Sequence, residues 1–302
     1  MKVIKYILLL LISLNFFSPL KAQLDTLNKK RLTTVIASEA TIYSGTMVGL
    51  SQLWYKDVPT TSFHTFNDNQ EWLQMDKIGH AVTSYYVGMA GYEVLKWSGV
   101  SEKKATWYGG TLGLFLLTSV EVLDGYSADW GFSTGDMVAN VSGTGLFIAQ
   151  QLAWKEQRVL LKYSFHTTDY AAVRPNVLGS NLSEQVLKDY NGQTYWLSAN
   201  IASFLKNDAK FPKWLNLAIG YGADGMLGGH DNVFVTDGVY YDYSTTERKR
   251  QFYLSLDIDL TRIKTKSKFA NTVLGAFGFV KFPFPALEFN QNGQTKFKGF
   301  YF

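Results

Sequence analysis

Apolar residues recur at helical spacing from about residue 33 to 153, and with a period of two from about residue 157 onward. The first stretch predicts four helices, over about 33–54, 77–98, 102–123 and 134–153. Asp76, Ser101 and Ser133 stand where the second, third and fourth helices need an N-cap. "STGD", residues 133 to 136, reads as a capping box with Asp in place of the usual Glu. The helices are apolar but interrupted. Gly45 and Gly49 form a GxxxG pair, and Gly88, Gly91, Gly109, Gly110, Gly113, Gly143 and Gly145 lie inside helical segments. Each interior glycine costs roughly 1 kcal/mol against alanine. Close helix packing is the usual compensation.

In the second stretch, "QFYLSLDIDLTRI" puts Phe252, Leu254, Leu256, Ile258 and Leu260 on one face and polar residues on the other. "WLNLAIGYG" repeats the alternation, and "RVLLKYSFH", "YWLSANIASF" and "NTVLGAFGFVKF" follow it more weakly. With the terminal "GQTKFKGFYF" this gives about six strands, read as antiparallel. The fold class is therefore α+β: a four-helix bundle over 33–153, then an antiparallel β region over 157–302. Such strands suit either a half-buried sheet or a small outer-membrane barrel, whose last strand commonly ends on an aromatic. A bacterial barrel wants an even count of at least eight strands, so six weigh against closure.

Composition narrows the setting. Lys2 and Lys5, an apolar run from Ile7 to Phe17 and "LKA" at 20–22 read as a signal peptide over residues 1–22. The formal charge of +4 falls to +1 once Lys2, Lys5 and Lys21 leave with that segment. No electrostatic footprint for nucleic acid remains. The chain has no cysteine, which excludes disulfides and thiolate metal sites. Aromatic residues make up 16% of the chain, a level that suits interfacial girdles. The expected location is the envelope, at the outer membrane rather than free in the periplasm, with membrane lipid or another envelope component as partner.

An up-and-down bundle would gather polar residues at one end. The second helix opens there with Asp76, Lys77 and His80, extended along one face by Ser84. The third closes there with Glu121 and Asp124, and the fourth opens there with Ser133, Asp136 and Asn140. The loop after the first helix adds His64, while the opposite end reads as apolar. Three uses compete for this layer. It can be structural, with carboxylates at helix N-termini and His80 and Lys77 as their partners. It can be a site for a hard divalent ion or for acid–base chemistry, with His80, Asp76 and Asp136 as catalytic candidates. It can also grip a headgroup through Lys77 and two helix N-termini. HExxH spacing, nucleophile elbows and phosphate loops are absent, and no cofactor is expected. His166 and His230 fall in strand or loop context and read as incidental.

The order D-K-x-x-H at 76–80, E-x-x-D at 121–124 and G-F-S-x-x-D-x-x-A-N at 131–140 resembles the YfiM-like domain of unknown function, a family of predicted periplasmic lipoproteins. It is more distantly similar to the VanZ-like membrane family. The resemblance covers about residues 33–152. It implies a small helical envelope domain of uncharacterised activity, whose motif positions here are Asp76, Lys77, His80, Glu121, Asp124, Ser133, Asp136 and Asn140. The chain departs from the lipoprotein pattern by having no cysteine, and it adds a long β region. The leading expectation is a structural or binding role at the polar layer. The alternative is a hydrolase or transferase acting on lipid or cell-wall material, with His80 as general base.

Overall fold

A computed structural model describes residues 26–56, 58–206 and 210–301, so the expected signal peptide lies outside the described residues. The fold is α+β and divides into two compact units. One holds the described residues up to Asn69 together with Lys77–Gln157. The other holds Gln70–Asp76 and the described residues from Arg158 on.

The helical unit runs α1 (Lys29–Leu50), α2 (Met75–Trp97), α3 (Glu102–Gly110), α4 (Leu112–Asp124) and α5 (Thr134–Trp154). The expected four-helix bundle is corrected here, because the third predicted helix is two. It breaks at Thr111, whose amide already bonds the Trp107 carbonyl as the cap of α3. Asn28 caps α1 by accepting from the Arg31 amide at 3.0 Å. Ser101 stands before α3 as expected, but its side chain makes no capping bond.

Glycines set the helix spacing. A Cβ on Gly113 would strike the Ser84 backbone, one on Gly143 the Ala81 carbonyl, and one on Gly88 the Gly110 carbonyl. The backbones of α2, α3, α4 and α5 therefore touch where side chains are missing. Gly45 of the GxxxG pair is different, since a Cβ there would meet open space. The expected apolar opposite end is also corrected. Tyr92, Glu102 and Gln151 form a hydrogen-bonded knot there, with the Tyr92 hydroxyl 2.6 Å from Glu102 Oε1. Among the described residues, no helix is long and apolar enough to cross a membrane.

The β unit contains β1 (Val159–Phe165), three short helices α6 (Tyr170–Val173), α7 (Pro175–Leu178) and α8 (Leu182–Lys188), β2 (Gln193–Asn200) and β3 (Leu215–Asp224). Then come the hairpin β4 (Val233–Thr236) and β5 (Val239–Asp242), β6 (Lys249–Ile258), α9 (Lys268–Ala276), β7 (Phe284–Asn290) and β8 (Thr295–Tyr301). Six strands form one antiparallel sheet in the order β1-β2-β3-β6-β7-β8. The stretch 271–282, read as a strand, holds most of α9. Ser267 caps that helix by accepting from the Ala270 amide. The sixth strand is instead β7, which the sequence hides behind Pro285. A register irregularity between Phe284 and Ala286 accommodates that proline.

No ladder joins β8 to β1 among the described residues, so the sheet is not a closed barrel. It is strongly curled nonetheless. The hydroxyls of Thr194 on β2 and Tyr301 on β8 meet at 3.0 Å. The β1 edge is engaged by a parallel bridge between Tyr163 and Val280.

Curling gives the sheet an unusual polarity. Its buried face carries Lys162, Ser198, Asn216, Ser255, Asp257 and Glu288, around an aromatic cluster of Trp196, Tyr253 and Tyr301. Lys162 Nζ lies 2.7 Å from Asp257 Oδ2, and the Ser198 hydroxyl donates to the same oxygen at 2.7 Å. Burial among these groups pushes Lys281 down to about 8. The opposite face carries Leu197, Leu217, Ile219, Phe252, Leu254 and Leu256, each between 40 and 57% exposed.

Candidate functional site

The polar layer lies in the helical unit, and the caps explain how it forms. Ser133 is the N-cap of α5, and its Oγ accepts from the Asp136 amide at 3.1 Å. A capping box would return a bond from Asp136 to the Ser133 amide. Here Glu121, from the end of α4, takes that amide at 3.0 Å through Oε2. The cap therefore stitches α4 to α5. Asp136 and Asn140 follow one turn apart on the buried face of α5.

Lys77, from α2, is held between two carboxylates. Its Nζ is 2.6 Å from Asp68 Oδ2 and 3.0 Å from Asp136 Oδ1. Ser133 Oγ donates to Asp68 Oδ1 at 2.6 Å. Burial alone would raise the Asp68 carboxyl, but the bonds from Lys77 and Ser133 outweigh it and hold the group below its ordinary range. One turn along α2, His80 Nδ1 sits 3.1 Å from Asn140 Oδ1 and 3.8 Å from Glu121 Oε1. With Oδ1 as acceptor, Nδ1 carries the proton and Nε2 is the basic nitrogen. Nε2 has no hydrogen-bond partner among the described residues. Ser84 continues the face, donating to the Asn140 carbonyl at 2.8 Å and lying 2.7 Å from Thr144 Oγ1.

Burial dominates the electrostatics. It pushes Glu121 up to about 8, with Asp136, Asp124 and Asp68 adding repulsion against the one backbone bond from Ser133. It pushes Asp124 up to about 6, although the Tyr55 hydroxyl donates to that carboxylate at 2.5 Å. The His80 side chain is 23% exposed, against 2% for Glu121 and 6% for Asp136, so the imidazole is the most open of the three. Ligand atoms of His80, Glu121 and Asp136 lie within 4.8 Å of one another, close enough to share one cation. The Asn140 amide nitrogen is fully buried and has no acceptor among the described residues.

The structure thus brings Lys77, His80, Glu121, Asp124, Ser133, Asp136 and Asn140 into one layer. Asp76 opens α2 directly before Lys77, and its charge adds to the burial that holds the Tyr195 hydroxyl above its ordinary range. His64 is set aside from the ligand group, with Nδ1 3.3 Å from the Ser62 carbonyl. Its backbone does matter, because residues 60–66 pair with 125–132. His64 and Phe132 exchange a bond of 3.0 Å, and the Phe66 amide reaches the Phe132 carbonyl at 3.0 Å. That pairing delivers Asp68 to Lys77. Asp68 and Tyr55 are the members that sequence reasoning missed. Both lie outside the periodic helical faces, and the "FNDN" of the loop signals only a turn.

Residues 65–151 match the family described as predicted periplasmic lipoprotein (DUF2279), and this segment contains every residue of the layer except Tyr55. No curated protein and no solved structure matches the chain. The match agrees with the YfiM-like resemblance over this segment, and its description fits an exported envelope protein of unknown role. The lipoprotein part of the description needs a cysteine, and the 302 residues contain none.

Proposed function

We propose that this chain works at the outer membrane as a binding protein, and that the layer around His80 takes up a cationic group of the envelope. The observation that supports this most directly is the charge balance. Four carboxyls, Asp68, Glu121, Asp124 and Asp136, surround Lys77 and His80, and burial holds two of them above their ordinary range. Lys77 is already shared by two carboxylates, so an anionic headgroup gains little from it. A cation beside His80 would instead let Glu121 ionise, with Asp136 and the imidazole as further ligands. A divalent ion and the ammonium of an ethanolamine headgroup share this chemistry. The exposed apolar face of the β sheet supports a membrane location over a free periplasmic one.

Isothermal titration of the purified full chain with calcium, magnesium, zinc and phosphoethanolamine, one at a time, tests the reading and separates the two sources. Saturable binding that Glu121→Gln weakens supports it, and no heat from any of the four overturns it.

The alternative, a hydrolase or transferase, draws on one observation: His80 has Nδ1 held while Nε2 is open, as a general base requires. It predicts that His80→Gln abolishes turnover of envelope lipid while the melting temperature stays within a few degrees.

A further inference from the structure

The six-stranded sheet has its polar face inside and its apolar face outside. A sheet in water does the reverse, since buried charge needs compensation and exposed leucine gains nothing. Here Lys162 and Asp257 are fully buried as an ion pair, while Ile219 and Leu254 pair across β3 and β6 on the exposed side. The apolar face continues across five strands, from Leu197 on β2 through Leu287 on β7 to Phe297 on β8. Along β3 it runs from Leu215 to Tyr221, roughly 20 Å at the usual strand rise.

One end of the sheet differs from the other. The β2–β3 loop and the segment between β6 and β7 both leave the strands at the end marked by Asn200, Leu215 and Ile258. The first loop carries exposed Lys206, Lys210 and Lys213, and the second carries exposed Lys264, Lys266 and Lys268. Exposed aromatics stand among them: Phe204 and Trp214 on the first, Phe269 and Phe277 on the second. Lysines interleaved with Trp and Phe beside an apolar band are the composition of a membrane–water interface.

We infer that the outer face of the β unit is a lipid-contacting surface, with acyl chains against Ile219, Leu254 and their neighbours, and with the lysine-bearing end seated among anionic headgroups. The charge of that end matches an anionic lipid surface, whereas a second copy packed in parallel would bring like charge against it. The β1 edge is engaged at Tyr163 by Val280, and the exposed leucines lie on the face of the sheet, so the contact is assigned to that face. The inference deepens the outer-membrane location proposed above and does not depend on what the His80 layer binds.

Vesicle flotation tests it, with the purified full chain and vesicles of equal parts phosphatidylethanolamine and phosphatidylglycerol. The wild type should float. Ile219→Glu/Leu254→Glu should lower the bound fraction by about tenfold or more. Lys264→Glu/Lys266→Glu/Lys268→Glu should lower binding to these vesicles while leaving binding to pure phosphatidylcholine unchanged, because only the first carries charge. Circular dichroism confirms that each variant is folded. For a face variant that does not fold, Leu254→Asn alone is the replacement. Failure of the wild type to float, or equal flotation of a folded face variant, overturns the inference. So does a dimer in solution that the face variant splits without any vesicle binding. A chain that floats in vitro but fractionates with the soluble periplasm contradicts the location alone.

Discussion

Lys77 is the residue on which the polar layer most depends. It neutralises Asp68 and Asp136 together, at 2.6 and 3.0 Å, with little solvent to share the load. Lys77→Met should lower stability by about 3–5 kcal/mol, because the buried Asp136 and the partly buried Asp68 lose their shared partner. Thermal unfolding would show this as a large drop in melting temperature, and Lys77→Arg should recover part of it. Glu121 makes the opposite contribution. Its carboxyl is protonated in the folded chain up to about pH 8, whereas the unfolded chain releases that proton near 4.5. Its contribution is therefore complete below pH 4.5 and is lost as pH rises towards 8. Asp124 acts in the same direction between 3.8 and about 6. The melting temperature should fall between pH 5 and 8, and Glu121→Gln should flatten that fall. An equally steep fall in the variant would show that Glu121 is ionised in the fold.

At the scale of elements, the helices approach through glycine, and the positions are not equivalent. Gly143→Ala would push a methyl group into the Ala81 carbonyl and should cost about 1–3 kcal/mol. Gly45→Ala meets nothing and should stabilise α1 by up to about 1 kcal/mol. Denaturant midpoints of the two variants should move in opposite directions. The helices themselves were legible, because period and caps agreed at Ser133 and because D-K-x-x-H and G-F-S-x-x-D-x-x-A-N place Lys77, His80, Asp136 and Asn140 by helical geometry alone. Asp68 was not legible, since a loop residue is placed by tertiary pairing, here between residues 60–66 and 125–132. The strands were legible where alternation ran long, as in β3 and β6. The segment 271–282 misled because small and apolar residues alternate there while Ser267 caps a helix. Asp237-Gly238, with φ of 52° and 75°, turns the β4–β5 hairpin and is a pattern the sequence does display.

At the scale of the whole molecule, the two units carry different chemistry. The helical unit concentrates charge at a buried layer, and the β unit turns its charge inward and its leucines outward. The sequence shows the alternation of the strands but not which face is buried, because burial depends on how the sheet curls. The account predicts that the chain sediments with the outer membrane and resists a carbonate wash. Release into the soluble fraction would remove the membrane from the account while leaving the His80 layer intact.

The central claim is that the layer binds a cationic group, and the titration of the purified chain with calcium, magnesium, zinc and phosphoethanolamine tests it most directly. The account predicts saturable binding of at least one of the four, release of a proton as Glu121 ionises, and loss of both in Glu121→Gln. Binding that is absent in the wild type, or unchanged in a folded Glu121→Gln variant, would contradict it.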